Sequence, residues 1–199
     1  MSFGAYGAKR HHAHDPPNDM QTLKAVIGIS WLIFWGYWLV SAAGAKASVK
    51  GRGWRPLAGV SVLCVFLLTR VIKGGTFVVH SPILGAIGAV AFACGIALAV
   101  WARVYLGSNW GMPMSQRVEP ELVTSGPYRF VRHPIYSGIL LALLGTALAT
   151  NLLGLIVVVV LCGYFYYSAT VEERNLTAIF PTAYPAYRMS TKMLIPFVL

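Results

Sequence analysis

Residues 132–174 read RHPIYSGILLALLGTALATNLLGLIVVVVLCGYFYYSATVEER, and their reading decides the fold. The apolar run from Ile135 to Ala169 is 35 residues, about 52 Å as a single helix at about 1.5 Å per residue, against a bilayer core of about 30 Å. One helix is therefore too long. Thr150-Asn151, followed by Gly154, supplies a turn. The segment is expected to fold as a tight hairpin of two helices, 135–149 and 152–169, whose ends return to the same membrane face. Arg132-His133 would then lie beside Glu172-Glu173, although 40 residues separate the pairs in sequence.

Working outward, the composition agrees with a membrane protein. The 199-residue chain is 57% hydrophobic and 11% charged, where a soluble domain carries about 25% charged residues. Three more apolar runs predict spans at 23–43, 56–72 and 82–101. The expected fold is an all-α integral membrane protein of about five transmembrane helices, the last two forming the hairpin. Residues 1–22 read as a polar tail broken by Pro16-Pro17-Asn18-Asp19, and residues 23–199 as a single membrane domain. The net charge of +10 sits in short connections. No basic stripe with stacking aromatics lies outside the spans, so nucleic acid is not an expected partner.

Basic residues set an orientation. Lys46, Lys50, Arg52, Arg55, Arg103, Arg117, Arg129, Arg132, Arg174, Arg188 and Lys192 fall on one side of the expected spans. Lys9, Arg10, Lys24, Arg70 and Lys73 fall on the other. The expectation is N-terminus out and C-terminus cytoplasmic. Cys64, Cys94 and Cys162 lie singly in three different runs and read as small buried apolar side chains. His11, His12 and His14 lack a neighbouring carboxylate or cysteine to complete a site, so no metal is expected. Trp31, Trp35 and Trp38 form a stripe on the first span, read as packing, and Ala91, Gly95 and Ala99 form a small-residue face on the third.

Chemistry concentrates at the mouth of the hairpin. Pro134 opens a helix and pushes His133 out of helical geometry, so a positive helix end, Arg132 and His133 coincide. That is a place for a carboxylate. Glu172-Glu173 face it, able to pair with Arg132 or to hold a cation; a structural ion pair pinning the hairpin ends is the plainer alternative. A helix starting near Glu172 would align Leu176, Ile179 and Phe180 on one face until Pro181, with Tyr184 and Tyr187 as aromatic cover. Residues 172–199 therefore read as a C-terminal lid or as an interfacial anchor. No Gly-rich dinucleotide fingerprint follows a strand.

These residues resemble a known family. Leu122-Val123-Thr124-Ser125-Gly126-Pro127-Tyr128-Arg129, then Arg132-His133-Pro134-x-Tyr136-x-Gly138, then Glu172-Glu173-x-x-Leu176 and Phe180-x-x-x-Tyr184-x-x-Tyr187 are similar to the isoprenylcysteine carboxyl methyltransferase family. Related membrane methyltransferases acting on phospholipid amines and small thiols share much of the signature. The resemblance covers roughly Trp101 to Phe197. It implies S-adenosylmethionine as cofactor, in a cytoplasmic pocket closed by the C-terminal segment and lined by Leu122, Val123, Tyr128, His133, Pro134, Ile135 and Tyr136. Glu172 would hold the methionyl ammonium or a ribose hydroxyl, and Gln116 would contribute from the upstream loop. Departures occur at Pro120, Pro181, Met189-Ser190-Thr191 and Ser168, where the family often has other residues, and they bear on the acceptor more than on the cofactor.

The activity implied is methyl transfer at the membrane to a lipophilic acceptor, foremost a carboxylate such as that of a prenylated cysteine, with a phospholipid amine or a thiol as alternatives. Arg132 is expected to grip an anionic acceptor with a bidentate fork, and Glu173 or Tyr128 to take a proton from an amine acceptor. Expected partners are a prenylated or other lipophilic substrate and membrane lipid. An NADPH-dependent sterol-type reductase and a non-catalytic membrane scaffold or sensor are the rival readings.

Overall fold

The computed structural model describes residues 18–42, 77–110 and 121–196. Among them are five α-helices: α1 (Asn18–Ala42), α2 (Pro82–Leu106), α3 (Pro134–Thr150), α4 (Gly154–Ile179) and α5 (Ala183–Ser190). Three helical stretches, Asp19–Ser41, Pro82–Leu106 and Gly154–Ile179, are long and apolar enough to cross a membrane. The expected span at 56–72, Cys64, Gln116 and the His11–His14 cluster lie outside the described residues.

Local chemistry sets the helix ends. Ser81 caps α2, its hydroxyl accepting from Leu84 N–H at 3.4 Å, and Pro82 occupies the first turn. Pro134 opens α3 with His133 as its non-helical N-cap, as the sequence predicts. Two boundaries differ from expectation. α1 begins at Asn18, so the end of the expected polar tail is helical; proline is compatible with the start of a helix and breaks only its interior. α4 runs unbroken to Ile179, about ten residues past the expected end of its span. No new helix starts near Glu172: Glu172 and Glu173 are carried on the last turns of the spanning helix itself, which ends just before Pro181.

α3 is the central helix. Twelve of its 17 residues are buried, so it has little surface to present to lipid and tolerates being shorter than a full span. The hairpin turn at Asn151–Leu153 is closed by Asn151 Oδ1, which accepts from Leu153 N–H at 2.9 Å. It is held to the extended segment leading into α2 by Val79 N–H to Thr150 O and Leu152 N–H to Phe77 O, both 3.1 Å. α1 and α2 run side by side in the same direction. Met20 lies against Gly85 near the start of both, and Arg103 near the end of α2 reaches Ser41 O at the end of α1. Ala42 and Phe77 consequently lie at opposite ends of the bundle.

α2 and α3 cross antiparallel at backbone contact. A Cβ added to Gly88, Gly95, Gly138 or Gly145 would fall within 2.3–2.6 Å of backbone nitrogen on the facing helix. Without a Cβ the two backbones interlock, which gives dispersion contact and Cα–H···O interactions in a setting where lipid supplies no hydrophobic drive. Gly95 and Ala99 of the expected small-residue face belong to this seam, but its register is the seven-residue step from Gly88 to Gly95, and Ala91 is only half-buried. The tryptophan stripe is packing. Trp31 and Trp38 are buried, Trp35 leans on the core, and Trp31 Nε1 donates to Thr146 Oγ1 at 3.0 Å. Cys94 and Cys162 are exposed on the outer surface of the bundle, against the expectation of burial: the apolar phase around them is lipid, so an apolar residue need not face inward.

The seam generates a paired test. Gly95→Ala must push α2 and α3 apart and should cost about 1–3 kcal/mol. Gly36→Ala on α1, where a Cβ meets nothing within 4 Å, should be neutral or gain up to about 1 kcal/mol from helix propensity. Thermal unfolding of both variants in detergent checks the contrast.

Candidate active site at the mouth of the hairpin

The closed hairpin returns the start of α3 and the last turns of α4 to the same end of the bundle, and four charged or titratable side chains converge there. Arg132 Nε donates to Glu173 Oε1 at 2.7 Å, with the two side chains 8% and 4% exposed. His133 bridges both carboxylates, Nδ1 to Glu172 Oε2 at 3.5 Å and Nε2 to Glu173 Oε1 at 3.4 Å. Arg188 of α5 reaches Glu173 Oε2 at 3.4 Å from a largely exposed position. Glu173 is thus a buried carboxylate ringed by three cationic or titratable partners. Glu172 is more open, 24% exposed, and accepts from Tyr136 Oη at 2.5 Å.

Aromatic rings line the cluster. His133 stacks on Tyr136 (5.5 Å between centroids, 5° between planes), and Tyr136 stacks on Phe165 of α4 (4.6 Å, 12°). Next to them, two buried hydroxyls, Ser168 Oγ and Tyr184 Oη, have no hydrogen-bond partner among the described residues.

The C-terminal segment is tied across the mouth mainly by backbone. Arg132 N–H donates to Lys192 O at 2.8 Å and His133 N–H to Met193 O at 3.1 Å. Ser137 Oγ donates to Leu194 O at 2.5 Å. Arg132 Nη1 donates to Thr191 O and to Arg188 O. Residues 191–194 form a strap fixed by the same arginine that pairs with Glu173. The fork expected of Arg132 is therefore engaged within the protein, and Nη2 is the donor it retains.

The segment before α3 braces the site. Gly126, at φ +60°, abuts the Tyr105 ring so closely that a Cβ would clash, and the 3₁₀ turn Gly126–Arg129 buries Tyr128. Tyr128 Oη donates to Ala102 O at 3.3 Å, and its carbonyl accepts from Tyr187 Oη at 2.6 Å. Burial drives the Tyr128 phenol well above its ordinary pKa, so it keeps its proton and is a poor base.

Of the expected residues, the structure brings together Arg132, His133, Pro134, Tyr136, Glu172 and Glu173. Ile135 is buried beside them in the first turn of α3, and Leu122 and Val123 are half-buried upstream. A cleft of about 400 Å³ opens next to the site, lined by Thr124, Arg129, Ala186, Tyr187, Ser190 and Thr191; none of the expected cofactor residues is among its walls. Sequence reasoning missed Ser137 and Phe165, and it named 172–199 as a lid without the main-chain pairing that ties residues 191–194 down. Ser137 and Phe165 had a usable signal, four residues from His133 and seven from Glu172 on their helices.

Burial opposes the charge on His133, and the adjacent carboxylates of Glu172 and Glu173 outweigh that, so its pKa lies above the ordinary histidine value. A raised folded pKa means stability that is complete below the unfolded value near 6.5 and lost as pH rises through the folded one. The stability difference between the protein and His133→Asn should therefore be largest near pH 6 and shrink toward pH 9 in thermal melts. Removing Glu173 leaves the Arg132 guanidinium buried without its counter-charge. Glu173→Ala should cost about 3–5 kcal/mol and should speed protease cleavage within residues 188–196.

Comparison with known proteins adds three findings. A family model described as phospholipid methyltransferase matches residues 83–183. The cobalt-zinc-cadmium resistance protein CzcN of Cupriavidus metallidurans is 32% identical over 127 residues, 60% of this chain and 54% of that protein. The protein-S-isoprenylcysteine O-methyltransferase of Schizosaccharomyces pombe is 33% identical over 118 residues, 55% of this chain and 49% of that protein. The chain thus spans about half the length of these relatives.

Proposed function

The chain belongs to the phospholipid methyltransferase family, and on that premise we propose that it transfers a methyl group from S-adenosylmethionine to a lipophilic acceptor at the membrane surface. The observation that carries the reading is the buried group of Arg132, His133, Glu172 and Glu173 at one end of a membrane bundle. Polar groups this costly to bury in a membrane protein mark function.

The side chains present fit the cofactor's chemistry. Its ammonium and sulfonium call for a carboxylate and ring faces, which Glu172 and the His133–Tyr136–Phe165 stack supply. Its hydroxyls call for unpartnered polar atoms, which Ser168 and Tyr184 supply. When bound, S-adenosylmethionine offers a methyl on a positively charged sulfur, which an acceptor oxygen, nitrogen or sulfur takes with its own electron pair, leaving a neutral thioether.

The chain's own residues orient and enclose. Glu172, fixed by Tyr136 and His133, would hold the ammonium. Leu122, Val123, Pro134, Ile135 and Tyr128 would complete the apolar wall, and Gln116 would approach from the preceding loop. Arg132 would offer Nη2 to the acceptor while its remaining bonds hold the strap, and Glu173 would take the proton from an amine acceptor. Enclosure matters because attack of an anion on a sulfonium neutralises charge, a step that a water-poor site favours. A carboxylate acceptor such as that of a prenylated cysteine is the foremost candidate, in line with the activity named for the Schizosaccharomyces pombe relative; a phospholipid amine or a thiol uses the same geometry. The site end carries Arg103, Arg129, Arg132, Arg174, Arg188 and Lys192, whereas Lys24 lies near the opposite end. By the positive-inside rule it faces the cytoplasm.

Incubation with labelled S-adenosylmethionine and host membranes should place label in a lipid or prenylated species, and no labelled product would overturn the reading. Glu172→Gln should weaken S-adenosylmethionine binding at least about tenfold by calorimetry, the loss expected of a charge-assisted contact. Unchanged affinity would remove the role of Glu172. NADPH should give no binding heat.

A further inference from the structure

Arg103 is a second buried arginine at this end of the bundle, and no carboxylate among the described residues balances its charge. It lies on the last turn of α2, 5% exposed. Nη1 donates to Gly107 O at 2.9 Å and Nη2 to Ser41 O at 2.8 Å. The guanidinium carbon sits 4.5 Å from the centre of the Trp110 ring, itself buried edge-on against Trp38. Nε is buried without a hydrogen-bond partner. No described carboxylate pairs with Arg103; every acidic partner in the described ion pairs belongs to the Arg132–His133–Arg188 cluster.

Carbonyl bonds, a ring face and the C-terminal dipoles of two parallel helices offset part of a cation's desolvation. Among the described residues they leave one N–H without an acceptor and one full charge without a counter-charge, and both shortfalls are met by the same thing, an oxyanion. The location suits an acceptor that is a lipid. Arg103 is one residue from Ala102, whose carbonyl takes the Tyr128 hydroxyl, so it adjoins the wall of the proposed methyl-transfer site. Its neighbours Trp101, Val104 and Tyr105 are exposed on the outer surface of α2. Arg132, by contrast, is already balanced by Glu173.

We propose that Arg103, backed by Trp110, is the anion anchor of the acceptor site, taking a carboxylate or phosphate oxygen of the acceptor while its apolar tail remains in the bilayer. The inference rests on the methyltransferase reading for the acceptor's identity, but an anion site at Arg103 is measurable without turnover. In the carboxylate case the anchored group is the one consumed, so the neutral ester product loses its anchor and leaves. In the phosphate case the anchor persists and sets only position.

The test uses the full chain in detergent, without cofactor, and two matched pairs: N-acetyl-S-farnesylcysteine against its methyl ester, and lysophosphatidic acid against the corresponding monoacylglycerol. In the unmodified protein the anionic member of at least one pair should bind at least about tenfold more tightly, and the pair that shows the gap identifies carboxylate or phosphate. Arg103→Gln should abolish the gap while S-adenosylmethionine affinity changes less than about threefold. A gap that survives Arg103→Gln, or no gap in either pair, overturns the proposal. If Arg103→Gln shows no cooperative thermal transition, Arg103→Lys decides. Lysine keeps the charge but lacks the planar donors, so the gap should narrow at least about threefold, and an unchanged gap overturns the anchor. Failure of the unmodified protein to bind S-adenosylmethionine would instead count against the methyltransferase reading and leave the anion measurement standing.

Discussion

A carboxylate buried at the end of a membrane helix has to find positive partners, and Glu173 finds them in a different part of the chain. Its contact with Arg132 Nε at 2.7 Å joins the end of α4 to the start of α3. The same arginine binds the carbonyls of Arg188 and Thr191. One ion pair therefore fixes three things: the register of the hairpin, the course of the strap and the position of His133 between the two glutamates. Alone, either charge would be too costly to leave there. Together they make a polar floor beside Glu172, the more open of the two carboxylates.

The floor stands on a rigid base. The glycine seam between α2 and α3 brings the two helices into backbone contact and leaves little freedom for rotation. α3 is held on its other sides by α1 and α4, and Thr146, deep within it, is pinned by the Trp31 indole. Arg103 and Tyr128 connect this base to the site, the first through the ends of α1 and α2, the second through Ala102 and Tyr187. The two arginines divide the work at this end of the bundle. Arg132 is matched to an internal carboxylate, whereas no described carboxylate pairs with Arg103.

Much of this was legible in the sequence because membrane length is an unforgiving ruler. The run 135–169 is too long for one helix, and that alone placed Arg132-His133 beside Glu172-Glu173. Pro134 marked the start of α3 for a steric reason that no environment reverses. The end of α4 was misread because charge was taken as the end of a helix. Glu172, Glu173 and Arg174 end the apolar run, but all are good helix formers, and the breaker is Pro181. The small-residue face was read in part: Gly95 and Ala99 lie in the seam, but Ala91 does not, because the glycines at backbone contact repeat at seven, from Gly88 to Gly95. The strap left little trace, since main-chain carbonyls of Lys192 and Met193 carry out its pairing and any side chain would permit it. The pairing of Arg132 with Glu173 was legible too, since Glu172-Glu173 were expected to face it; the further bonds of Arg132 to the carbonyls of Arg188 and Thr191 were not, because main-chain partners leave no mark in the sequence.

The most direct measurement of this account is a double-mutant cycle on Arg132 and Glu173, using Arg132→Gln, Glu173→Gln and the double variant, followed by unfolding in detergent. Direct pairing in a dry site predicts strong coupling, about 2–3 kcal/mol, with the double variant far less destabilised than the sum of the singles. Effects that add within about 0.5 kcal/mol, the behaviour of residues that do not touch, would contradict the account.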